Sequence, residues 1–322
     1  MKEIGGYFEL EKFIDNEYYK SLIRLNTGRN ALIYTLKILQ VKKIYIPYYL
    51  CESIYSILEK YGYNYVFYRI DKNFFPIFDK KLLEDEYLYI VNYYGQLDNK
   101  DIQKLKRKYK NIIIDNTHSF FQKPIENIIT IYNCRKWFGV PDGAYLSMDK
   151  EIDSELEYDK SRGRMIHLLG RYEVNAAEYY HYFKENDSNF QDLHLKKMSR
   201  LTQNLLGAID YTFIKTKRME NYNFLSEQLN RVNLLNLNNT NIPFCYPLCI
   251  KNASIIRKKL IENKIYIPLL WPNVLEEIEK TSVEYSYAND ILPIPCDQRY
   301  SLNDMKYVVK IILEELKNEY KR

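Results

Sequence analysis

The decisive stretch is Ile112-Ile113-Ile114-Asp115-Asn116-Thr117-His118. It is followed, after a second β-like run at residues 127–133, by Cys134-Arg135-Lys136-Trp137-Phe138-Gly139-Val140-Pro141-Asp142-Gly143. Three consecutive isoleucines read as a buried strand that delivers a carboxylate at its end. The second run, "NIITIYN", delivers Lys136 into a turn containing Gly139, Pro141 and Gly143. A strand-end Asp and a turn Lys are the pair that pyridoxal phosphate (PLP) chemistry requires. The Asp keeps the pyridine nitrogen protonated so that the ring accepts electrons, and the Lys carries the aldehyde as a Schiff base. The same residues also fit a plainer reading, in which Asp115 merely ends a strand and Lys136 is one of 47 basic residues on a solvated face.

Working outward, "LNTGRNALIYTLKIL" at residues 25–39 sets Thr27-Gly28-Arg29-Asn30 ahead of the apolar positions Ala31, Leu32, Leu36, Ile38 and Leu39. Gly28 therefore opens a helix. The free N–H groups of its first turn, with the positive end of the helix dipole, suit a phosphate; a glycine at a helix start also serves as a simple cap. Next come "KKIYIP" (strand), "ESIYSILEKYGY" (helix), "NYVFYRI" (strand), "EYLYIVNYYGQ" (strand), "NKDIQKLKRKYK" (helix) and "NIIID" (strand). This alternation predicts an α/β fold with crossover units around a largely parallel sheet. Ligands on such sheets bind at the carboxyl ends of the strands, where Asp115 and the Lys136 turn fall.

Along nearly its whole length the chain resembles the DegT/DnrJ/EryC1/StrS group of fold-type-I PLP aminotransferases, which aminate keto-sugars attached to nucleotides. "TGRNAL" stands in place of the group's "GTAAL", "VNYYGQ" is similar to "VHLYGQ", and "DNTH" to "DAAQ" or "DAAH". "RKWFGVPDGAYL" resembles the lysine loop of a polysaccharide-locus branch, and "IYIPLLWP" and "ILPIPCDQRYS" its later signatures. The resemblance implies that Lys136 is the Schiff-base lysine and general base. Asp115 would pair with the pyridinium nitrogen, His118 would hydrogen-bond the phenolic oxygen, and Thr117 would lie against one ring face. Gly28, Arg29 and Asn30 would offer backbone N–H groups to the phosphate, and Asn133 would take the place of a phosphate-binding Ser.

Two departures stand out. Where the group presents an aromatic ring to stack on the pyridine, this chain has Cys51, so Tyr48, Tyr49 or the thiol must cover that face. The group's "GYNFRM", whose Asn reaches the neighbouring subunit's cofactor, reads "LHLKKM" here, with Leu195 at the Asn position and Lys197 as an electrostatic substitute.

At 322 residues two domains are expected, a PLP-binding large domain at 1–235 and a small α+β domain at 236–322, with a break in the Asn-rich residues 232–243. Residues 152–229 read as mostly helical, and in the small domain "FCYPLCI", "IYIPLLW" and "ILPIPCD" read as strands, with "ASIIRKKLIENK" and "LNDMKYVVKIILEELKNEY" as helices. The net charge of +5 is modest and its Lys-rich runs are interspersed with acids, so nucleic-acid binding is not expected. The five cysteines are scattered and the four histidines show no metal spacing, which reads as reduced thiols in a cytoplasmic protein without a metal. No apolar run approaches the roughly 20 residues of a membrane span.

The expected function is PLP-dependent transfer of an amino group from an amino acid, glutamate or glutamine, to a sugar-type acceptor, nucleotide-linked, in surface polysaccharide or glycan biosynthesis. Arg162, Arg164, Arg171 and Arg299 are candidates for acceptor phosphates, and the resemblance implies a homodimer. A dehydratase of the same fold would carry His in place of Lys136. The alternative from another class is a catalytically idle relative that binds a nucleotide-sugar or a partner.

Overall fold

The computed structural model describes residues 4–150, 156–238 and 241–319. Residues 152–155 of the segment expected to be helical, and 239–240 of the expected boundary, lie outside the described residues.

The first half of the chain runs β1 (Ile23–Leu25), α1 (Gly28–Ile38), β2 (Lys43–Pro47), α2 (Glu52–Lys60), β3 (Asn64–Ile70), β4 (Pro76–Ile77), β5 (Glu86–Val91), α3 (Asn99–Tyr109), β6 (Ile112–Asp115), β7 (Ile129–Asn133) and β8 (Ala144–Ser147). The strands form one eight-stranded sheet in the order β1-β8-β7-β6-β5-β2-β3-β4. Its centre, from β7 to β3, is parallel; β8, β1 and β4 join antiparallel. This is the α/β fold with a mostly parallel sheet that the alternating pattern predicts. All four residues of β6 are buried, so both faces of that strand are covered, as an apolar run without alternation requires. Helix α1 is buried from Asn30 through Leu36, which is why its sequence is apolar nearly all round.

The second half continues with α4 (Ile166–Glu173), α5 (Tyr180–Asn189), α6 (Arg200–Gly207) and α7 (Tyr211–Leu229). After these come β9 (Tyr246–Cys249), α8 (Ala253–Glu262), α9 (Pro272–Glu277), α10 (Val283–Asp290), β10 (Ile291–Ile294) and α11 (Leu302–Glu319). Strands β9 and β10 pair only with each other, antiparallel. A second apolar core gathers around them, with α8, α11 and the end of α7, through Leu225, Leu229, Leu248, Ile256, Leu292 and Ile312. One expectation is corrected. Residues 265–271, "IYIPLLW", read as a strand but are irregular up to Trp271, which caps α9. Pro268 has no N–H to give to a ladder, and β9 and β10 already pair with each other.

No helix among the described residues is long and apolar enough to cross a membrane.

Candidate active site

β6 and β7 run side by side in parallel, so Asp115 and the turn after Asn133 emerge at the same edge of the sheet. Asp115 is buried. Its Oδ2 accepts a 2.6 Å hydrogen bond from the Tyr89 hydroxyl on β5, and its Oδ1 accepts one of 2.8 Å from the Thr117 N–H. Burial raises the Asp115 carboxyl above the usual carboxylate range, while these two donors and the charge of Lys136 pull the other way. A buried carboxylate held by neutral donors favours a cation placed against it.

The β7 strand ends in a tight turn at Cys134–Lys136, closed by the Asn133 side chain accepting from Arg135 N–H at 3.2 Å. Lys136 is exposed, makes no hydrogen bond or ion pair among the described residues, and lies within charge–charge reach of both Asp115 and His118. Trp137 fixes the turn: its Nε1 donates to the Thr117 carbonyl at 2.8 Å, tying the lysine loop to the residues after Asp115. Its own carbonyl accepts from Gln298 at 3.0 Å, and the buried Arg218 guanidinium lies over its ring at 4.3 Å.

His118 is buried in an aromatic stack. Phe244 covers one ring at 4.3 Å and 6°, with Tyr94 and Trp271 also near parallel. Burial, and then the nearby Lys136, push its imidazole down from 6.5 to about 3, so it is neutral at ordinary pH. Its Nδ1 accepts from the Tyr94 N–H at 3.5 Å, which leaves Nε2 as the ring nitrogen open to a ligand.

At the amino end of α1, the backbone N–H groups of Gly28 and Arg29 have no partner among the described residues. Asn30 N–H does: the Thr27 hydroxyl accepts it at 3.0 Å. The Asn30 amide side chain is spent on Asn26, Leu193 and His194. The expectation that Asn30 serves a phosphate is narrowed accordingly, because the cap reaches its N–H first. A Cβ added at Gly28 would stand 3.5 Å from Asn133 Nδ2, so the bare backbone of the α1 turn faces the lysine loop directly.

Cys51 is half-buried and accepts from Ser53 at 3.2 Å. Tyr48 stacks on Phe67 at 4.7 Å with Arg69 over its ring, and Tyr49 is fully buried against Tyr93 and Trp271. Both tyrosines are thus committed to protein partners. Leu195 packs into its own chain's core, and Lys197 lies over Tyr158. Among the acceptor candidates, Arg164 pairs with Asp159 at 2.9 Å and joins the site's edge. Arg162 and Arg171 are exposed, and Arg299 pairs with Asp297 at 2.7 Å.

The sheet thus gathers Gly28, Arg29, Cys51, Asp115, Thr117, His118, Asn133 and Lys136 into one region. Tyr89, Trp137, Phe244 and Arg218 complete it and were not foreseen. For Tyr89 a signal existed: it lies on the strand beside β6, two residues before Val91, which pairs with Asp115.

These elements fit PLP on two observations of this chain, the buried carboxylate lacking a strong cation partner and the open N-terminal turn of α1 opposite Asn133. No protein-family model and no curated protein sequence matches the chain. Solved structures do. The chain is similar to NtdA from Bacillus subtilis with bound cofactor PMP, with a TM-score of 0.65 at 15% identity, covering 92% of this chain and 73% of that one. It is also similar to a DegT/DnrJ/EryC1/StrS aminotransferase from Brucella abortus (TM-score 0.60, 14% identity, 91% and 85% covered). A third match is Helicobacter pylori PseC, an aminotransferase involved in the biosynthesis of pseudoaminic acid (0.60, 14%, 92% and 86%). The chain therefore has the fold of the fold-type-I PLP aminotransferases over about nine-tenths of its length.

Proposed function

We propose that this chain is a PLP-dependent aminotransferase of the DegT/DnrJ/EryC1/StrS group, working as a homodimer. It moves an amino group from glutamate or glutamine to a keto-sugar, nucleotide-linked, in surface polysaccharide or glycan biosynthesis. The observation that carries the reading is Lys136, unpaired at the mouth of the sheet and within charge–charge reach of Asp115 and His118.

When bound, PLP supplies an aldehyde that condenses with amines and a ring that takes up electrons. Asp115, fixed from two sides, holds a positive charge on the ring nitrogen, and its burial strengthens that interaction. The N–H groups of Gly28 and Arg29 with the Asn133 amide orient the phosphate end. Neutral His118 offers a ring nitrogen to a phenolic oxygen without adding charge. Lys136, once free, takes a proton from the donor's α-carbon and returns one on the acceptor side. Trp137, pinned to Thr117, keeps that amine in register with Asp115.

Purified protein mixed with PLP should gain absorbance near the visible edge and lose it on addition of glutamate. Bleaching by glutamate excludes the idle-relative reading. A chain that stays colourless with excess PLP, while folded, overturns the aminotransferase reading and favours a binding module, for which the absent ring at Cys51 and the inward Leu195 speak.

A further inference from the structure

Beside the α1 amino end lies a group of arginines whose guanidiniums the reaction above does not use. Arg135 is within charge–charge reach of both Arg29 and Arg164. Arg164 pairs with Asp159 at 2.9 Å, yet its Nε is buried with no hydrogen-bond partner. Arg135 lies flat on Phe190 at 3.6 Å and reaches Asp187 only at 3.4 Å. Arg29 is half-buried and has no hydrogen bond or ion pair among the described residues. Asp187 and Asp159 are thus taken by Arg135 and Arg164, and Arg29 is the guanidinium of the group without an ion pair of its own among the described residues. Burial draws both Arg29 and Arg135 below the usual arginine range, and for Arg135 the neighbouring charges of Arg29 and Arg164 add to it. A chain gains by keeping such a group only where an anion completes it.

The neighbouring backbone points to the same ligand. Arg29 contributes its own free N–H at the start of the 11-residue helix α1, where the bare backbone of Gly28 faces the Asn133 amide. We propose that Arg29 and Arg135 form, with the amino end of α1, a phosphate-binding subsite whose charge comes entirely from this chain. This rests on the reading of the site as a PLP site and deepens it. Leu195, the residue aligned with the group's cross-subunit Asn, is turned into its own core and offers a neighbour nothing polar. Guanidinium forks compensate, since they bind phosphate oxygens in pairs and keep their charge at any working pH. The phosphate is that of the cofactor or one carried by the acceptor.

Titrating the cofactor-free full chain with PLP, pyridoxal, uridine diphosphate and inorganic phosphate, read by quenching of Trp137 and Trp271 fluorescence, tests the subsite. Arg29→Gln and Arg135→Gln should weaken PLP roughly ten- to a hundredfold. Binding of pyridoxal, which carries no phosphate, should be unchanged, and Arg29→Lys should fall between. A loss confined to uridine diphosphate upholds the subsite and assigns the phosphate to the acceptor. Unchanged affinity of Arg29→Gln, which breaks no native pair and should fold, for every phosphate ligand overturns it. A parent chain that binds no PLP yet holds inorganic phosphate through Arg29 keeps the subsite and removes the aminotransferase reading.

Discussion

His118 and Phe244 lie face to face, 4.3 Å between ring centres and 6° from parallel, although 126 residues separate them in the chain. The stack keeps His118 dry, and its imidazole is pushed down to about 3. The unfolded chain, at the ordinary 6.5, therefore binds a proton that the native state refuses between those two values. Stability is complete above pH 6.5 and declines as pH falls toward 3, by up to about 1.4 kcal/mol per pH unit from this group. Urea denaturation at stepped pH should show a shallower decline in His118→Gln than in the parent. Identical slopes would show that His118 does not carry the effect.

Asp115→Asn should keep the fold, because the amide oxygen still accepts from the Thr117 N–H and the amide NH2 can donate to the Tyr89 hydroxyl oxygen, but should lose the charge opposite a ring nitrogen. Half-transamination with glutamate in stopped flow should slow roughly 10²- to 10⁴-fold. A rate within threefold of the parent would remove Asp115 from the chemistry.

Lys136→Ala should abolish the visible-edge absorbance while leaving PLP able to bind through its phosphate. Equal spectra of variant and parent with added PLP would remove Lys136 from its proposed role. Its exposure means that the variant should melt within about 0.5 kcal/mol of the parent.

Trp137→Phe removes one hydrogen bond, to the Thr117 carbonyl, and should cost about 1 kcal/mol. Trp137→Ala also empties the space under Arg218 and should cost about 3–5 kcal/mol in urea unfolding. If both variants unfold at the same urea concentration as the parent, the loop is not held by this residue.

Sedimentation should give twice the mass of one chain. Leu169, Tyr172, Val174 and Phe183 on or beside α4 and α5 are exposed apolar residues, more than a solvated pair of helices needs. A Leu169→Asp, Phe183→Asp double variant should shift the chain toward monomer. A parent that sediments as a single chain at micromolar concentration, and still takes up PLP, would overturn the homodimer.

Asp115, Lys136 and Gly28 were legible because each is announced by local chemistry: an apolar run ending in an acid, a turn rich in Gly and Pro, a glycine opening a helix. The parallel sheet followed from alternation alone. Asn30 shows where local reading needed one more step, since Thr27 three residues earlier is itself a cap and claims that N–H. Tyr89, Phe244 and Arg218 were hidden for another reason. Their roles depend on which strands adjoin and on contacts across more than a hundred residues, and no periodicity encodes that. Residues 265–271 misled because apolar composition fits both a strand and a buried irregular segment, and only the pairing of β9 with β10 decides.

Beyond Tyr94 and the Thr117 carbonyl, the stack on His118 and the grip on Trp137 come from Arg218, Phe244, Trp271 and Gln298, all later in the chain than every residue proposed to touch the cofactor. During synthesis, then, the floor of the pocket leaves the ribosome well before its roof. A nascent chain halted ahead of Arg218 holds Asp115, Lys136 and the α1 amino end, with aromatic faces bare to solvent or to a chaperone. Release of the last third is the moment at which those faces are covered, which makes the birth of the finished pocket an event of the chain's C-terminal end.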